Sequence, residues 1–587
     1  MILSNVVLKG FRNFKDSTIN LKEKSLIIGA NEIGKTNLIW ALRLLLDKSL
    51  SDFDRDPKDS DFYVYEETNQ FEIQLKFSEI TEDCILTHSG LRGRISDNDE
   101  IFLVHRAYRK NSGAKTYSLL AGCSLDHLEE IDGHACRSVL NLKYISSRRD
   151  FNRYVNREKN NLFLEAKENR TENEIEQDRL REREIETNLK IVDESIPKLS
   201  FIAQATKSIN AELEKLSIRH TEQTIVFDAT CSSIDKFINN VSIASKSKEK
   251  PLAVGGDGRL NQIFLCLWAA RNEITDYNLE EVSIICIEEP EAHLHPHQQR
   301  KLAEYLGKRI AGQVLITTHS PQIACEYSPN SIVRLLNKGE GTVAASNGCS
   351  DVIDKSFNDF GYRMSVIPAE AFFADVVFLV EGSSEELFYK GLARQLQVDL
   401  DRLNISILMV DGIGFQHFTT ILDALEIKWA LRTDNDISQI PHKKDKYQMA
   451  GLRRLFNCYK NSSNRSSEIT QRITDCEKLL TDLPDRNLPP ESVKSIEEVV
   501  KLLNKTGFFI SKTDLEGDLF NSEIRDDLVT FYDNLDETKI LFEMRKKKAT
   551  SMYEFLKTNK ESLQKLKSDS LALPLYYCKE IAESYYR

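Results

Sequence analysis

The chain has 587 residues, of which 41% are hydrophobic and 29% charged, and its formal net charge is −12 at pH 7. This length exceeds what one hydrophobic core supports, so several domains are expected, and the negative charge argues against an overall basic coat for nucleic acid. Eleven cysteines without a CxxC pair argue against a cysteine zinc site and favour a reducing, cytoplasmic location. No apolar run reaches the roughly 20 residues that span a bilayer and no signal peptide is recognisable, so no membrane association is expected.

Four segments differ in their sequence patterns. Residues 1–150 alternate short apolar runs with polar turns, which predicts a sheet-rich segment with one helix after Gly34. Residues 151–225 are densely charged and predict long exposed helices, which serve either as solvated surface or as an arm for self-association. Residues 226–360 and 361–587 return to alternating strand and helix patterns, and charged helices follow in the last segment.

The stretch SLIIGANEIGKTNLIW contains the spacing Gly-x4-Gly-Lys-Thr between a predicted strand and a predicted helix. This is the context in which such a loop binds the phosphates of ATP with its backbone N–H groups. Lys35 is expected to reach the β and γ phosphates, and the Thr36 hydroxyl is expected to bind Mg²⁺. The residues assigned to the nucleotide from this loop are Gly29, Asn31, Gly34, Lys35, Thr36 and Asn37.

Two later strands supply the other half of an ATP site. The apolar run IICI ends at Glu288, which is expected to hold the Mg²⁺ shell, and at Glu289, which is expected to orient or deprotonate the attacking water. The run LITT is followed by His319, whose place after the acidic strand end predicts a sensor of the γ-phosphate. The three motifs together predict an ATP-binding domain.

The stretch FLVEGSSEELF raises two interpretations of its acids. Glu381 follows a buried apolar run, and Glu385 lies one helical turn later. Ser383 or Ser384 is expected to cap a helix here, and acids suit a helix N-terminus, but a later apolar run also ends in acids, Asp434 and Asp436. Because the ends of parallel strands share one edge of a sheet, these carboxylates are expected to converge, and Mg²⁺ or Mn²⁺ would relieve their repulsion.

The order of these motifs resembles known families. The ATP motifs, with VVLKGFRNFKDSTINL at the start, resemble the ABC-type ATPase heads of the SMC, Rad50 and RecF group. In such heads the stretch GGDGR corresponds to the signature loop, where Gly255 stands in place of the usual serine. The stretches VEGSSE and RTDND resemble a Toprim domain. An ATPase head followed by a Toprim domain is the layout of the OLD (overcoming lysogenization defect) nucleases, and the chain most resembles the nuclease subunits of Gabija-type anti-phage systems.

The resemblance implies further site residues. It assigns metal-binding acids to Glu381, Glu385, Asp434 and Asp436 and, in a second cluster, to Asp514, Glu516 and Asp518. Because of the ATSM that follows it, Lys548 corresponds to the catalytic lysine of the family. The neighbouring Lys546 and Lys547 are interpreted as a solvated basic patch.

The resemblance also implies a function and partners. It predicts an ATP-regulated, Mg²⁺- or Mn²⁺-dependent endonuclease that cuts double-stranded DNA in antiviral defence. It implies a homodimer or homotetramer, with a UvrD-like helicase or a retron reverse transcriptase as a partner. An alternative is a RecF-like or SMC-like repair protein that binds DNA with ATP but does not cleave it. A topoisomerase or primase is a further alternative, since both use Toprim domains.

Overall fold

The structure is a computed structural model, and it describes residues 1–88, 90–146, 151–216, 244–247, 250–253, 259–260, 263, 281–308, 310, 312–350, 369–410, 414–440, 446–483 and 490–585. Two compact units can be distinguished. One comprises 1–145, 279–291 and 295–587, and the other comprises 146–278 and 292–294. No described helix is both long and apolar enough to span a membrane.

The strands of the described residues are numbered in chain order. They are β1 (Ile2–Phe11), β2 (Phe14–Asn20), β3 (Lys24–Ile28), β4 (Gln70–Ser78), β5 (Ile101–Arg109), β6 (Lys115–Ser124), β7 (His127–Glu130), β8 (Leu140–Ile145), β9 (Ala244–Ser247), β10 (Lys250–Ala253), β11 (Val282–Glu288), β12 (Val314–Thr317), β13 (Ile332–Asn337), β14 (Thr342–Ala344), β15 (Val376–Val380), β16 (Ile405–Met409), β17 (Lys428–Thr433), β18 (Ile437–Gln439), β19 (Tyr447–Met449) and β20 (Phe508–Ile510).

The α-helices are numbered in the same way. They are α1 (Lys35–Leu46), α2 (Asp52–Arg55), α3 (Asp83–Thr87), α4 (Gly133–Val139), α5 (Phe151–Glu168), α6 (Glu172–Ser195), α7 (Ser200–Leu216), α8 (Pro296–Lys308), α9 (Pro321–Ala324), α10 (Ser383–Gln395), α11 (Phe415–Ala424), α12 (Ala450–Lys460), α13 (Ser467–Glu477), α14 (Pro490–Asn504), α15 (Leu515–Phe520), α16 (Arg525–Phe531), α17 (Glu537–Asn559) and α18 (Leu573–Ser584).

Two six-stranded sheets, formed by strands between residues 2 and 344, share one hydrophobic core. An antiparallel sheet has the order β2-β1-β4-β5-β6-β7, and a second sheet has the order β14-β13-β3-β12-β11-β8. In the second sheet β8, β11, β12, β3 and β13 are parallel, and β14 is antiparallel. The apolar face of α1 packs in the same core, with Leu38, Leu42 and Leu45 almost fully buried. This arrangement places the ends of β3, β12 and β11 along one edge.

A four-stranded parallel sheet with the order β16-β15-β17-β20 forms the centre of the C-terminal region. One of its two central strands, β15, is apolar throughout and fully buried, as expected for a strand covered on both faces. Its core includes residues of α10, α17 and α18, such as Phe388, Phe555 and Leu575. The carboxyl ends of β15, β17 and β20 therefore meet at one edge, where the predicted acids lie.

The charged segment that follows residue 150 forms helices α5, α6 and α7, as its composition predicted. Helix α6 begins with a capping box in which Thr171 and Glu174 each accept a hydrogen bond from the other's backbone N–H. Apolar side chains of these helices are exposed, among them Leu180, Ile191 and Phe201, which are at least 60% accessible. Self-association through this segment stays a prediction.

The antiparallel sheet contains a histidine with an unusual environment. His105 on β5 is 2% exposed and stacks between Phe71 and Tyr117, with ring centroids 5.6 and 4.9 Å away. Burial lowers the pKa of His105 to about 4, although Asp61 opposes this shift. The neutral imidazole therefore behaves as part of the aromatic core.

Replacing His105 by phenylalanine is expected to reduce the loss of stability in acid. Because the histidine pKa is lower in the folded state than in the unfolded chain, only the unfolded chain takes up this proton as the pH falls from about 6.5 toward 4. This destabilises the wild type by up to ~3 kcal/mol, whereas phenylalanine keeps the stack without titrating. Melting temperatures at pH 8 and pH 5 measure the difference. The exposed His127→Gln is the control and is expected to follow the wild type, and a wild-type acid response in His105→Phe would contradict the prediction.

Candidate functional site

The loop between β3 and α1 has the conformation that phosphate binding requires. Gly34 has a φ of 110°, and a Cβ at this position would lie 2.3 Å from Nδ2 of Asn13, so only glycine fits. Lys35 is buried, and its ammonium donates to the carbonyl oxygens of Gly29 and Ala30 at 3.0 and 2.8 Å. Burial lowers the pKa of Lys35 to about 8, although three nearby glutamates oppose the shift.

The other predicted loop residues differ in their surroundings. Asn31 and Thr36 are exposed, where a nucleotide can reach them. Asn37 donates to Oδ1 of Asn13 at 2.7 Å and accepts from Arg12 at 2.9 Å, so its side chain joins α1 to the β1–β2 turn. A nucleotide contact from Asn37 stays a prediction, and these hydrogen bonds give the residue a structural function.

Glu288, Glu289 and His319 lie at the ends of neighbouring parallel strands, β11 and β12. Glu288 is 5% exposed and accepts a hydrogen bond from the Tyr144 hydroxyl. Oε1 of Glu289 lies 3.6 Å from Nε2 of His319. Burial lowers the pKa of His319, and the charge of Lys35 lowers it further, so the imidazole is neutral near pH 7. The structure thus brings these residues together with the phosphate-binding loop.

Glu291 is a residue that the sequence motifs did not single out. Its Oε1 accepts hydrogen bonds from the Thr318 hydroxyl at 2.5 Å and from the backbone N–H of His319 at 2.9 Å. Burial raises the pKa of Glu291. The carboxyl group of Glu291 therefore holds the backbone of His319 in place. The sequence motifs did not indicate this contact because it joins the ends of two different strands.

The acids of the C-terminal sheet follow the strand ends, as the pattern predicted. Glu381 follows β15 and Asp434 follows β17, and these strands pair in parallel. Glu385 lies in the first turn of α10. The N-cap of this helix is Gly382 without a side-chain hydrogen bond, so the interpretation of Ser383 or Ser384 as a capping residue was wrong.

Three buried acids of this site have raised pKa values. Burial raises the pKa of Asp434 to about 7, and the charges of Glu385 and Glu381 raise it further. Burial also raises the pKa of Glu385, to which Glu516 and Glu381 contribute, and that of Glu516, to which Asp514 contributes. The mutual repulsion shows that these carboxylates lie close together, which is the environment that a bound divalent cation relieves.

Arginine side chains contact the other predicted ligands. Nη2 of Arg454 lies 2.7 Å from Glu381 and 3.1 Å from Asp436. Arg545 donates two hydrogen bonds to Asp514, at 2.7 and 3.1 Å. Burial alone would raise the pKa of Asp514, but these bonds hold it below its usual value. None of these arginines carried a motif signal, since each lies far along the chain from its acid.

Asp518 is held more firmly than the other acids. One of its oxygens accepts from the buried Arg432 at 2.6 Å and the other from the backbone N–H of Lys512 at 3.0 Å. Arg432 is 4% exposed. When one partner of an ion pair this deeply buried is replaced, the other charge is left unpaired and the protein is destabilised. Metal binding by Asp518 stays a prediction that these contacts do not favour.

Lys548, the predicted catalytic lysine, lies at a break inside α17. Its backbone has a φ of 27° and a ψ of −101°, outside the helical region, although helix continues on both sides. Such strain in a residue other than glycine is typical of functional sites. The positive charge of Lys548 opposes the rise that burial causes in the pKa of Glu516, so the lysine lies near the acidic cluster.

The predicted ligands have the chemistry that a divalent cation requires. All seven predicted ligands are carboxylates, the ligand type that Mg²⁺ and Mn²⁺ prefer. Within the residues that the structure describes, however, no three acidic, histidine or cysteine side chains are arranged to hold a metal ion as they stand. Four of the carboxylates contact guanidinium groups instead, those of Arg454, Arg545 and Arg432.

Residues 255–258 of the predicted signature stretch lie outside the described residues.

Comparison with known proteins identifies two domain families in the chain. Residues 1–324 match the AAA ATPase domain family, and residues 372–436 match the TOPRIM domain of overcoming lysogenization defect protein-like chains. The expected order of an ATPase domain followed by a Toprim domain is confirmed, and the likeness of the ATPase domain to SMC heads stays a prediction.

Relatives cover most of the chain. An "Endonuclease GajA" of Bacillus cereus (strain VD045) is 26% identical over 577 residues, 95% of this chain and 95% of the relative. An "OLD nuclease" of Thermus scotoductus is 24% identical over 471 residues, 76% of this chain and 84% of the relative. The C-terminal region of an OLD protein of Burkholderia pseudomallei is 16% identical, with a TM-score of 0.23 over 36% of this chain and 99% of that one. The chain belongs to the AAA ATPase domain family, and an OLD-like TOPRIM domain follows its ATPase domain.

Proposed function

We propose that this protein is an ATP-regulated, divalent-metal-dependent DNA endonuclease. The observation that supports this most is that Glu381 and Asp434 follow adjacent parallel strands, with Glu385 in the first turn of α10, and that burial raises the pKa of Asp434 to about 7. A carboxylate cluster under such repulsion is suited to a divalent cation. The 26% identity with an endonuclease over almost the whole chain supports the same function.

In this proposal Glu381, Glu385, Asp434 and Asp436 hold Mg²⁺ or Mn²⁺, and Asp514, Glu516 and Asp518 contribute a second cluster. When bound, such cations activate a water molecule and stabilise the oxygen that leaves the phosphate. Lys548 lies beside Glu516 and is suited to neutralise negative charge that develops on the phosphate. The run Arg545, Lys546, Lys547 and Lys548 is exposed and adds salt-sensitive attraction for the DNA backbone.

ATP is proposed to act at the loop between β3 and α1. Lys35 would exchange its two carbonyl partners for the phosphates, where the charge-assisted contact is stronger. Glu289 and the neutral His319 lie in contact beside this loop, suited to orient water and to sense the γ-phosphate. The state of this site is proposed to set whether the nuclease is active.

The same proposal includes partners and location. The substrate is double-stranded DNA, and the protein works in the cytoplasm in antiviral defence. The exposed apolar side chains of α6 and α7 are consistent with a homodimer or homotetramer. A UvrD-like helicase or a retron reverse transcriptase is proposed as a partner protein.

Supercoiled plasmid incubated with the protein and Mg²⁺ or Mn²⁺ tests the activity. The wild type is expected to nick or linearise the plasmid, and a chelator is expected to stop this. Glu381→Ala is expected to lower the rate at least a hundredfold, because the carboxylate lies at the centre of the proposed metal site. Graded ATP concentrations in the same assay show whether the nucleotide activates or restrains cutting.

Glu386→Ala is the matched control. Glu386 lies one residue beyond Glu385 on α10, but it pairs with Lys390 on the surface, at 2.6 Å. Its replacement is expected to leave cleavage unchanged. DNA that stays intact while the wild type binds it in an ATP-dependent manner would overturn the proposal and favour a repair protein that does not cleave. Relaxed plasmid without nicks would favour a topoisomerase.

A further inference from the structure

Arg454 on α12 reaches across to the edge of the C-terminal sheet. Its Nη2 lies 2.7 Å from Oε1 of Glu381 and 3.1 Å from Oδ2 of Asp436, and it donates to the carbonyl oxygen of Asp434 at 3.2 Å. Its Nε donates to the hydroxyl of Thr433 at 2.9 Å. The guanidinium therefore has four acceptors, all at the ends of β15 and β17, where a divalent cation would have to lie.

Arg454 is not required to place Glu381. The same oxygen of Glu381 also accepts from the Thr433 hydroxyl and from the backbone N–H of Asp434, the latter at 3.0 Å. These two donors belong to the strand end itself. The carboxylate would therefore keep its position without the arginine, and the contribution of Arg454 is mainly its charge.

A guanidinium and a divalent cation cannot share these acceptors. Two positive charges on one carboxylate oxygen would lie within a few ångströms of each other, where their repulsion is strong in a partly buried site. The side chain of Arg454 is 35% accessible, so solvent and ligands can reach it. Once it leaves the carboxylates, its planar fork of N–H donors matches the oxygens of a phosphate.

We propose that Arg454 is the counter-cation of the carboxylate site in its metal-free state and becomes a phosphate-binding residue when a divalent cation takes Glu381 and Asp436. The arginine then couples the two events, because the guanidinium is available to DNA only when the carboxylates are otherwise neutralised. This inference rests on the proposed metal-dependent nuclease and adds a phosphate-binding residue that no sequence motif indicated.

Calorimetric titration of Mn²⁺ into the DNA-free protein tests the first half. Arg454→Gln is expected to bind Mn²⁺ about fivefold more tightly than the wild type, because the competing charge is gone while Glu381 keeps its other two donors. Arg454→Lys keeps the charge and is expected to bind Mn²⁺ as the wild type does. Arg453→Gln is the matched control, because this substitution removes the same charge from the same helix. Arg453 is exposed and contacts Gln448 instead of the carboxylates.

Fluorescence anisotropy with labelled duplex DNA tests the second half. With Ca²⁺ present, Arg454→Gln is expected to weaken DNA binding about fivefold, whereas in a chelator the variant and the wild type are expected to bind equally. Melting temperatures verify that each variant is folded. Equal or weaker Mn²⁺ binding by folded Arg454→Gln would overturn the inference, as would an equal loss of DNA affinity with and without Ca²⁺.

The experiments give different results if this inference is wrong and if the proposed function is wrong. If the wild type binds no Mn²⁺ and does not cut DNA, the metal-dependent nuclease itself is wrong. If the wild type does both and Arg454→Gln binds Mn²⁺ as the wild type does, only the function of Arg454 is wrong.

Discussion

Replacing Asp434 by asparagine is expected to abolish metal-dependent DNA cleavage and, at the same time, to stabilise the metal-free protein. Asp434 is 8% exposed, and Glu385 and Glu381 add their repulsion to the cost of burying its charge. Asparagine has nearly the same shape and can still accept the 3.0 Å hydrogen bond from Ser511. The variant thus removes the buried charge without removing volume.

The sign of the pH dependence follows from the raised pKa. In the unfolded chain the Asp434 carboxyl has a pKa near its ordinary value of 3.8, and in the folded protein near 7. The contribution of Asp434 to the free energy of unfolding is fully present below pH ~4 and is lost as the pH rises through 7. We therefore expect Asp434→Asn to increase the free energy of unfolding at pH 8 in a chelator by on the order of 2–4 kcal/mol, which raises the melting temperature. Near pH 4 the substitution is expected to have little effect.

The same melting experiment is repeated with Mn²⁺ and with a control variant. Saturating Mn²⁺ is expected to raise the melting temperature of the wild type far more than that of Asp434→Asn. Asp401→Asn removes the same charge at an exposed position and is expected to behave as the wild type in every condition. A fall in melting temperature for Asp434→Asn at pH 8 without metal would show that the acid stabilises the fold.

Replacing Arg334 by methionine is expected to cause the largest loss of stability among the changes considered. Arg334 on β13 is 8% exposed and donates to the carbonyl oxygens of Leu425, Glu426 and Ala374 at 3.1 to 3.2 Å. The arginine thus joins the ATPase sheet to the Toprim domain within one compact unit. Methionine fills a similar volume but leaves three carbonyl groups without these donors, which costs about 3–5 kcal/mol.

The position of Arg334 links the two candidate sites. Its strand β13 pairs with β3, and Arg334 is opposite Ile28, the residue before the phosphate-binding loop. On the following strand β14, the Thr342 hydroxyl donates to the carbonyl oxygen of Ile33 in that loop at 2.7 Å. The short segment from β13 to β14 therefore contacts both the nucleotide loop and the Toprim domain.

Thermal unfolding and limited proteolysis measure the effect of Arg334→Met. Lys338→Met is the matched control at the same interface, because Lys338 pairs with Glu426 at 2.7 Å but is 53% accessible. An exposed ion pair of this kind contributes less than about 1 kcal/mol. Equal melting temperatures for the two variants would show that the buried arginine does not stabilise the junction.

Several features could be predicted from the sequence because they depend on local order along the chain. The phosphate-binding loop, the acidic ends of β11, β15 and β17, and the helix after Gly34 follow from short motifs between strand and helix patterns. The placement of Glu381 beside Asp434 needed one more step, that parallel strands end at the same edge. This rule holds whatever the remaining side chains are.

The partners of the acids could not be predicted in this way. Arg454 lies 18 residues beyond Asp436 on another helix, and Arg545 lies 31 residues beyond Asp514. In neither pair do the acid and the arginine lie in the same helix or strand, so the periodicity of a single helix or strand does not indicate the contact. The same is true of Arg334, whose carbonyl acceptors lie at least 40 residues away.

The sequence by itself thus determined which chemical groups this protein brings to its two sheet edges: a phosphate-binding loop with acids at one, and a set of carboxylates at the other. Only the tertiary structure decided which carboxylates pair with arginine and which repel one another, as Asp434 and Glu385 do. The physical reason is that a motif specifies the backbone path of a few residues, whereas the charge state of a buried acid depends on every element packed around it.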